Sequence, residues 1–284
     1  MSPEEKPKQK IPENRPNASM PDTRLDAILT ATRDRVAGLR AQARELERRA
    51  AAAPAPRPFA PALAGRHVGV IAEVKRRSPS VGAIREDLDP VTHAQAYAQG
   101  GAVAISVLTD ELHFGGSLED LGRVAGAVPV PVLRKDFILD ELQLYEARAA
   151  GASAVLLIVR ALTAEGLRAL RRAARDQGLG VLVEVHSAGE LELALGVEPT
   201  AVGVNSRDLA TFAVDLGQAE RLVALVPHGV PVIAESGIAT RADVERMAAA
   251  GADLVLVGTS VAGNPDPERA VRELTGVRRM GRGR

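Results

Sequence analysis

Cysteine is absent from the 284 residues, and so is tryptophan. Without thiols the chain has no disulfide, no thiolate nucleophile and no sulfur ligand for zinc. Aromatic residues make up 2% of the chain while hydrophobic residues as a whole reach 46%, so the core must be built from Ala, Val, Leu and Ile. Aliphatic interiors of that kind suit parallel sheets buried on both faces. Net charge is lacking too: 36 Lys and Arg balance 36 Asp and Glu, which gives no reason to expect nucleic acid or an anionic membrane as partner. No apolar run approaches the roughly 20 residues of a membrane span. Residues 1–17 are polar and proline-rich and lack the apolar segment of a signal peptide. The expectation is a cytoplasmic protein. The five histidines (His67, His93, His113, His186, His228) show no metal-ligand spacing and read as structural or solvated, although His186 follows Glu184 by two and can share its side of a strand.

Organisation begins after a tail. Residues 1–20 read as disordered, and helical spacing of Leu25, Ile28, Leu29, Val36, Leu39 and Leu46 predicts one helix over about 22–53, with Asp22 as N-cap and Pro54-Ala-Pro-Arg-Pro as its stop. From there short β-branched runs alternate with alanine-rich helical segments. The runs predict strands at 68–74, 102–108, 130–134, 154–159, 180–185, 201–204, 230–234 and 254–257. The gaps predict helices at 90–99, 118–125, 140–149, 164–176, 188–195, 218–225, 241–249 and 267–274. Eight uninterrupted βα units point to a single (β/α)8 barrel over residues 21–275, a fold of about 250 residues. A doubly wound open sheet would normally carry a Gly-x-Gly-x-x-Gly loop after its first strand, and none follows residue 74. Residues 276–284, with Arg278, Arg279, Arg282 and Arg284, read as a basic, solvated C-terminal tail.

In such a barrel the site forms where the strands end. Glu73 and Lys75 close the first strand, Lys135 and Asp136 the third, Glu184 the fifth, Asn205 and Arg207 the sixth, and Glu235 the seventh. A lone charge at a strand end is usually a solvated loop residue, and Arg76, Arg77 and Asp136 fit that plain reading. Two lysines and three glutamates converging on one mouth do not, because clustered ionisable groups are costly unless paired and such clusters mark sites of proton transfer. After the last two strands, Ser236-Gly237 and Gly258-Thr259-Ser260 offer backbone N–H groups and hydroxyls without bulk, the usual makings of a phosphate site, to which Ser78 can add.

These strand ends also resemble a known family. Ile71-Ala-Glu-Val-Lys-Arg-Arg-Ser-Pro-Ser, Ile105-Ser-Val-Leu-Thr-Asp with Phe114-Gly-Gly-Ser, Leu133-Arg-Lys-Asp-Phe-Ile, Leu182-Val-Glu-Val-His, Gly203-Val-Asn-Ser-Arg-Asp-Leu and Ala234-Glu-Ser-Gly-Ile look like the signature segments of the indole-3-glycerol-phosphate synthases, over about residues 25–275. The resemblance implies an extra helix lying over the barrel mouth and a reaction on 1-(2-carboxyphenylamino)-1-deoxyribulose 5-phosphate. That phosphorylated small molecule would undergo ring closure, decarboxylation and dehydration without metal or redox cofactor. It implies Lys135 as acid for ring closure and Lys75 at the substrate carboxylate or as acid in dehydration. Glu184 and Glu73 would stabilise positive charge or move the dehydration proton, and Asn205 and Glu235 would orient the anilino nitrogen and sugar hydroxyls. Ser78, Ser236, Gly237, Gly258 and Thr259 would hold the phosphate, and Phe114 and Phe137 would line the anthranilate pocket with Arg207 beside them. Two other readings compete. One is another phosphate-binding barrel such as phosphoribosylanthranilate isomerase, a family that uses a cysteine this chain lacks. The other is a non-catalytic barrel paralogue, which loss of the lysines or glutamates would favour. Monomer and homodimer both fit the sequence.

Overall fold

In the computed structural model, which describes residues 23–78, 81–208 and 213–282, eight parallel strands close into a ring. They are β1 Gly69–Val74, β2 Ala104–Leu108, β3 Val132–Lys135, β4 Ala154–Ile158, β5 Gly180–Val185, β6 Ala201–Asn205, β7 Val232–Glu235 and β8 Leu254–Val257. Each pairs with its neighbours in sequence, and β8 pairs back onto β1 through Gly69 opposite Leu254. The expected tail at residues 1–20 and the expected cap Asp22 lie outside the described residues. Among the described residues no helix is long and apolar enough to cross a membrane.

The expected barrel is therefore present, and its shifted strand edges have local causes. The third and seventh strands start at Val132 and Val232 rather than two residues earlier. Pro131 and Pro231 precede them and carry no N–H for the ladder; their carbonyls accept from Ile105 and Val202 instead. At the other end Lys135, Asn205 and Glu235 belong to their strands. The single expected helix at 22–53 is two, α1 Thr23–Leu39 and α2 Ala43–Ala52, separated by a 3-10 turn at Arg40–Gln42. Gly38 weakens the helix there, and no side chain of the turn is buried to hold it straight.

Period-two alternation sorts the strand residues into two cores. One parity faces the surrounding helices: Val70, Ala72, Ile105, Val107, Val155, Leu157, Val181, Val183, Val202, Val204, Val255 and Val257 pack there with apolar residues of those helices. The other parity fills the barrel: Ile71, Ala104, Leu133, Ala154, Leu156, Leu182, Ala201, Ile233, Leu254 and Leu256. Phe59, from the short helix α3 Phe59–Ala62, joins this inner core. It packs against Gly180, where a Cβ would stand 2.9 Å from the Phe59 Cβ, so a glycine opens β5 to admit the ring.

Beside the inner residues of β3 lies a buried ion network. Arg134 is fully buried. Its guanidinium donates to Asp136 at 2.8 Å, to Glu146 at 3.1 Å, to the Gln143 carbonyl at 2.6 Å and to Thr109 Oγ1 at 3.1 Å. Asp136 also accepts from Thr109 and from Arg35 of α1. Gln143 sits in the first turn of α4 Glu141–Ala149, whose N-cap Asp140 forms a reciprocal capping box with it, and its side chain donates to the Phe137 carbonyl at 2.9 Å. The β3 end, the loop after it, α4 and α1 are thus tied at one point. The plain reading of Asp136 as a solvated loop residue is corrected.

The C-terminal segment, expected as a solvated tail, is in part tied down as well. Val277 accepts from the Val68 N–H, and Arg279 N donates to the Arg66 carbonyl. Arg279 and Arg282 both reach Asp253, at the start of β8, at 3.5 and 2.9 Å, and Arg282 also donates to the Gly251 and Val230 carbonyls. Of the arginines read as a free end, Arg279 and Arg282 instead close the barrel floor where the first and last strands meet, because those carbonyls need donors; Arg284 lies outside the described residues.

Removing one partner from a buried charge network leaves the others uncompensated. Arg134→Leu is expected to lower unfolding free energy by about 3–5 kcal/mol, read by urea denaturation. An unchanged transition midpoint would mean that Arg35 alone satisfies Asp136.

Candidate active site

The inner parity of the strands carries the polar residues at the mouth. Glu73 comes from β1, Lys135 from β3, Glu184 from β5, Asn205 from β6 and Glu235 from β7. Their layers follow the strand register, with Asn205 opposite Glu235 and Glu73 opposite Ser106. The Lys135 ammonium stands 3.4 Å from Glu235, 3.8 Å from Glu184 and 3.9 Å from Glu73. Lys75, just past β1, pairs with the other Glu73 oxygen at 3.2 Å, and Ser106 donates to Glu73 at 3.4 Å.

Burial works against the charge on Lys135, but Glu235, Glu73 and Glu184 outweigh it and push the pKa above the usual lysine range. Burial also opposes the Glu73 carboxylate, yet Lys75 and Lys135 hold its pKa below the usual range. Glu235 goes the other way. Burial, reinforced by Glu184 and Glu73, lifts it to about 8 despite the pull of Lys135. At 3.4 Å that pull is an ion pair without a directed hydrogen bond, and both Glu235 oxygens are buried with no donor. The cluster thus combines a firm ammonium, a firm carboxylate and a carboxyl group poised near neutrality, the separation that acid–base work requires.

Two hollows flank the cluster and share Glu73, Lys75 and Lys135 in their walls. One has an aromatic and aliphatic wall of Leu108, Phe114, Phe137, Leu156 and Ile158, and Ser78, Asp110, Asn205 and Arg207 also line it. The Phe114 and Phe137 rings lie 6.4 Å apart, tilted by 36°, a flat apolar wall suited to a planar ring. The other is lined by Ser236, Gly237, Gly258, Thr259 and Ser260, and also by Lys75 and Arg207. There Ser236 and Gly237 follow one another with φ of 67° and 71°. The left-handed conformation is uncommon and costly for a serine. Thr259–Ala262 forms one short helical turn after Gly258, and first-turn N–H groups lack intrahelical acceptors.

Every residue singled out from the sequence lines one hollow or both. Their placement adds three things that pattern alone did not give. Gly258 does more than turn the chain: a Cβ there would come 2.6 Å from Glu73 Oε1, so the glycine makes room for the carboxylate. Asp110 sits in the wall, its side chain accepting from the His113 N–H at 2.6 Å. His186, grouped with the structural or solvated histidines, is buried beside Glu184, with Nε2 3.5 Å from Glu184 Oε1. Its spacing of two from Glu184 was the available signal. Asn205 is partly committed, its Oδ1 accepting the Arg207 N–H at 3.0 Å.

Because Gly258 borders Glu73, Gly258→Ala is expected to cut the turnover number on the order of 10- to 100-fold, the scale of a misplaced reacting group. An anion-loop glycine alone would mainly raise the Michaelis constant. Steady-state kinetics separates the two, and an unchanged turnover number would leave Glu73 unaffected by that position.

Comparison with known proteins follows the same residues. The indole-3-glycerol phosphate synthase family model matches residues 25–274. The indole-3-glycerol phosphate synthase of Kineococcus radiotolerans is 53% identical over 209 residues, 74% of this chain and 76% of that protein. That of Mycolicibacterium smegmatis is 47% identical over 230 residues, 81% of this chain and 85% of that protein. Among solved structures, 3-hexulose-6-phosphate synthase from Salmonella typhimurium superposes with a TM-score of 0.59 at 16% identity, covering 73% of this chain and 96% of that one. Thiamine phosphate pyrophosphorylase from Pyrococcus furiosus does so with a TM-score of 0.55 at 19% identity, covering 73% and 93%; these two likenesses speak for the barrel alone. With a family match running from α1 to the last barrel helix, and relatives about half identical over most of their length, the chain belongs to the indole-3-glycerol phosphate synthase family.

Proposed function

We propose that the chain converts 1-(2-carboxyphenylamino)-1-deoxyribulose 5-phosphate to indole-3-glycerol phosphate, as a carboxy-lyase of tryptophan biosynthesis working in the cytoplasm. The observation that carries this reading is one buried ammonium among three carboxylates, set between an aromatic-walled hollow and a glycine- and hydroxyl-lined one. A substrate with a planar carboxyphenyl ring at one end and a phosphate at the other spans those two hollows, which puts its ribulose carbonyl over the cluster.

The chemistry then assigns work to each group. The ring carbon that bears the carboxylate attacks the ribulose carbonyl, and the carbonyl oxygen takes a proton as the bond forms. Lys135 supplies that proton, and the surrounding carboxylates keep it charged until then. Loss of carbon dioxide returns the electron pair to the ring and restores aromaticity. Dehydration follows: the hydroxyl leaves as water after taking a proton, and the neighbouring C–H gives one up. Glu184 and Glu73 serve this acid–base step, with Lys75 as a second acid and a partner for the substrate carboxylate. Asn205 and Glu235 orient the anilino nitrogen and sugar hydroxyls. Phe114, Phe137 and Arg207 hold the carboxyphenyl end, and Ser78, Ser236, Gly237, Gly258 and Thr259 hold the phosphate. Each step moves protons or breaks carbon–carbon and carbon–oxygen bonds without net redox change, so the reaction calls for no metal or redox cofactor. The competing isomerase reading relied on a cysteine, and this chain has none. A non-catalytic barrel would not need to keep two lysines among three buried glutamates.

Incubation with the ribulose phosphate substrate should give indole fluorescence, and its absence would remove the proposed activity. Lys135→Met keeps the length of the side chain and removes its proton. It is expected to lower the turnover number by at least about 100-fold, with a smaller effect on binding because Lys75 and the phosphate loops remain. A folded variant with near-normal turnover would pass the acid role to Lys75.

A further inference from the structure

We infer that His186 is a positioning residue for Glu184 and the donor that returns protons to it during turnover. The imidazole is buried just past the end of β5. Its Nδ1 lies 3.3 Å from a Glu190 oxygen that also accepts the His186 N–H at 2.7 Å. Its Nε2 faces Glu184 Oε1 at 3.5 Å and has no hydrogen-bond partner of its own. One ring nitrogen is thus fixed by an outer carboxylate while the other is aimed at a carboxylate of the reacting cluster. A carboxylate that fixes the ring and tautomer of an imidazole, which then acts on a third group, is a known device for moving protons.

The groups around the ring come from four elements, and each has a part. Glu190 belongs to the helix Ala188–Leu195, whose N-cap Ser187 accepts its N–H, so the side chain curls back toward His186. Burial opposes the Glu190 charge, but hydrogen bonds from His186 and from Arg160 bring its pKa down to about 2; it stays an anion and serves as an anchor. Arg160, in the turn after β4, pairs with Glu190 at 3.0 Å and is partly exposed. Gln218, from the helix Leu216–Leu225, donates to the His186 carbonyl at 3.1 Å and fixes the backbone. On the inner side Glu184 stands 3.8 Å from Lys135. A continuous series, Arg160, Glu190, His186, Glu184, Lys135, runs from the protein surface to the acid of the first step.

The reaction needs such a supply, a point that rests on the function proposed above. Two protons enter per turnover, one on the carbonyl oxygen and one on the leaving hydroxyl. One returns when the C–H bond breaks. The carboxylate leaves as neutral carbon dioxide, so one proton net must be supplied while substrate covers the mouth. In the relay step the imidazolium Nε2–H bond breaks and an O–H bond forms on Glu184. The neutral imidazole keeps its Nδ1–H on Glu190 and regains the Nε2 proton from water that enters the mouth once product has left.

The test compares His186→Gln, His186→Ala and Glu184→Gln in the full chain, by steady-state kinetics with circular dichroism and melting temperature as fold controls. Both His186 variants are expected to lose at least about 10-fold in turnover number, the scale seen when a group that orients a reacting side chain is removed, with a Michaelis constant within about twofold. Added imidazole should restore part of the His186→Ala loss, which a purely structural role would not allow. In ring ¹⁵N spectra of the otherwise unaltered chain, Glu184→Gln should move the His186 Nε2 resonance; this reading needs no His186 variant to fold. A normal turnover number in His186→Gln, a loss that imidazole fails to rescue, or an unmoved Nε2 resonance overturns the relay. A Glu184→Gln variant with normal turnover overturns the role given to Glu184 itself, and so separates failure of the earlier reading from failure of this one.

Discussion

Three carboxylates can share one buried mouth because an ammonium group stands among them. Two unit charges about 4 Å apart at an effective dielectric of 20 interact by about 4 kcal/mol, so Glu73, Glu184 and Glu235 repel one another strongly while each is drawn to Lys135. The three distances are all longer than the roughly 2.7–2.9 Å of a directed charge-assisted hydrogen bond. The ammonium is therefore held by the sum of the field rather than committed to one partner, and its protons stay available to an oxygen that arrives from outside. Burial and the same field sort the acids: the glutamate nearest two ammonium groups stays ionised, and Glu235, which burial and its carboxylate neighbours push up, rises toward neutrality.

A cluster of that kind works only if its bearers do not relax. The chain meets this by alternation. On β3, Leu133 and Lys135 belong to the inner parity while Arg134, between them, carries a second, fully paired set of charges. The inner set is left partly unpaired and reactive; the second is saturated and inert. Arg35 extends the saturated set to α1, so the helix before the barrel is tied to the strand end that presents Lys135. Rigid support on one side of a strand is what permits strain and unmet charge on the other.

Much of this was legible before any coordinates. The period of two placed Glu73, Lys135, Glu184 and Glu235 on strand ends, and the eight-fold rhythm brought those ends to one face. The aromatic scarcity made Phe114 and Phe137 stand out. What sequence could not give depends on distance in space. Arg134 and Asp136 are two apart and share a side of the strand, but Glu146, Thr109 and Arg35 meet them only through the fold, and without those partners Asp136 looked solvated. Gly258 read as a phosphate-loop glycine alone, because its neighbour Glu73 is far away in sequence. His186 carried a hint in its spacing, yet the carboxylate that fixes it comes from the following helix, and helical patterning does not say which way a first-turn glutamate curls. The arginines of the last segment looked like a tail because the carbonyls they satisfy belong to loops spread over the chain.

That last segment bears on how the molecule is made. Synthesis runs from the N-terminus, and domains begin to fold as they emerge. The ring cannot close until β8 is available to pair with β1, and the staple from Val277 to Arg282 that fastens the seam follows β8 in the chain. Until then β1 and β7 are open edges with unpaired backbone groups, the kind that recruit other strands. The nascent chain therefore passes through a long half-built stage in which seven strands exist without closure. The finished barrel's resistance to opening is set only once β8 and the segment after it have been made, on the face turned away from the catalytic mouth.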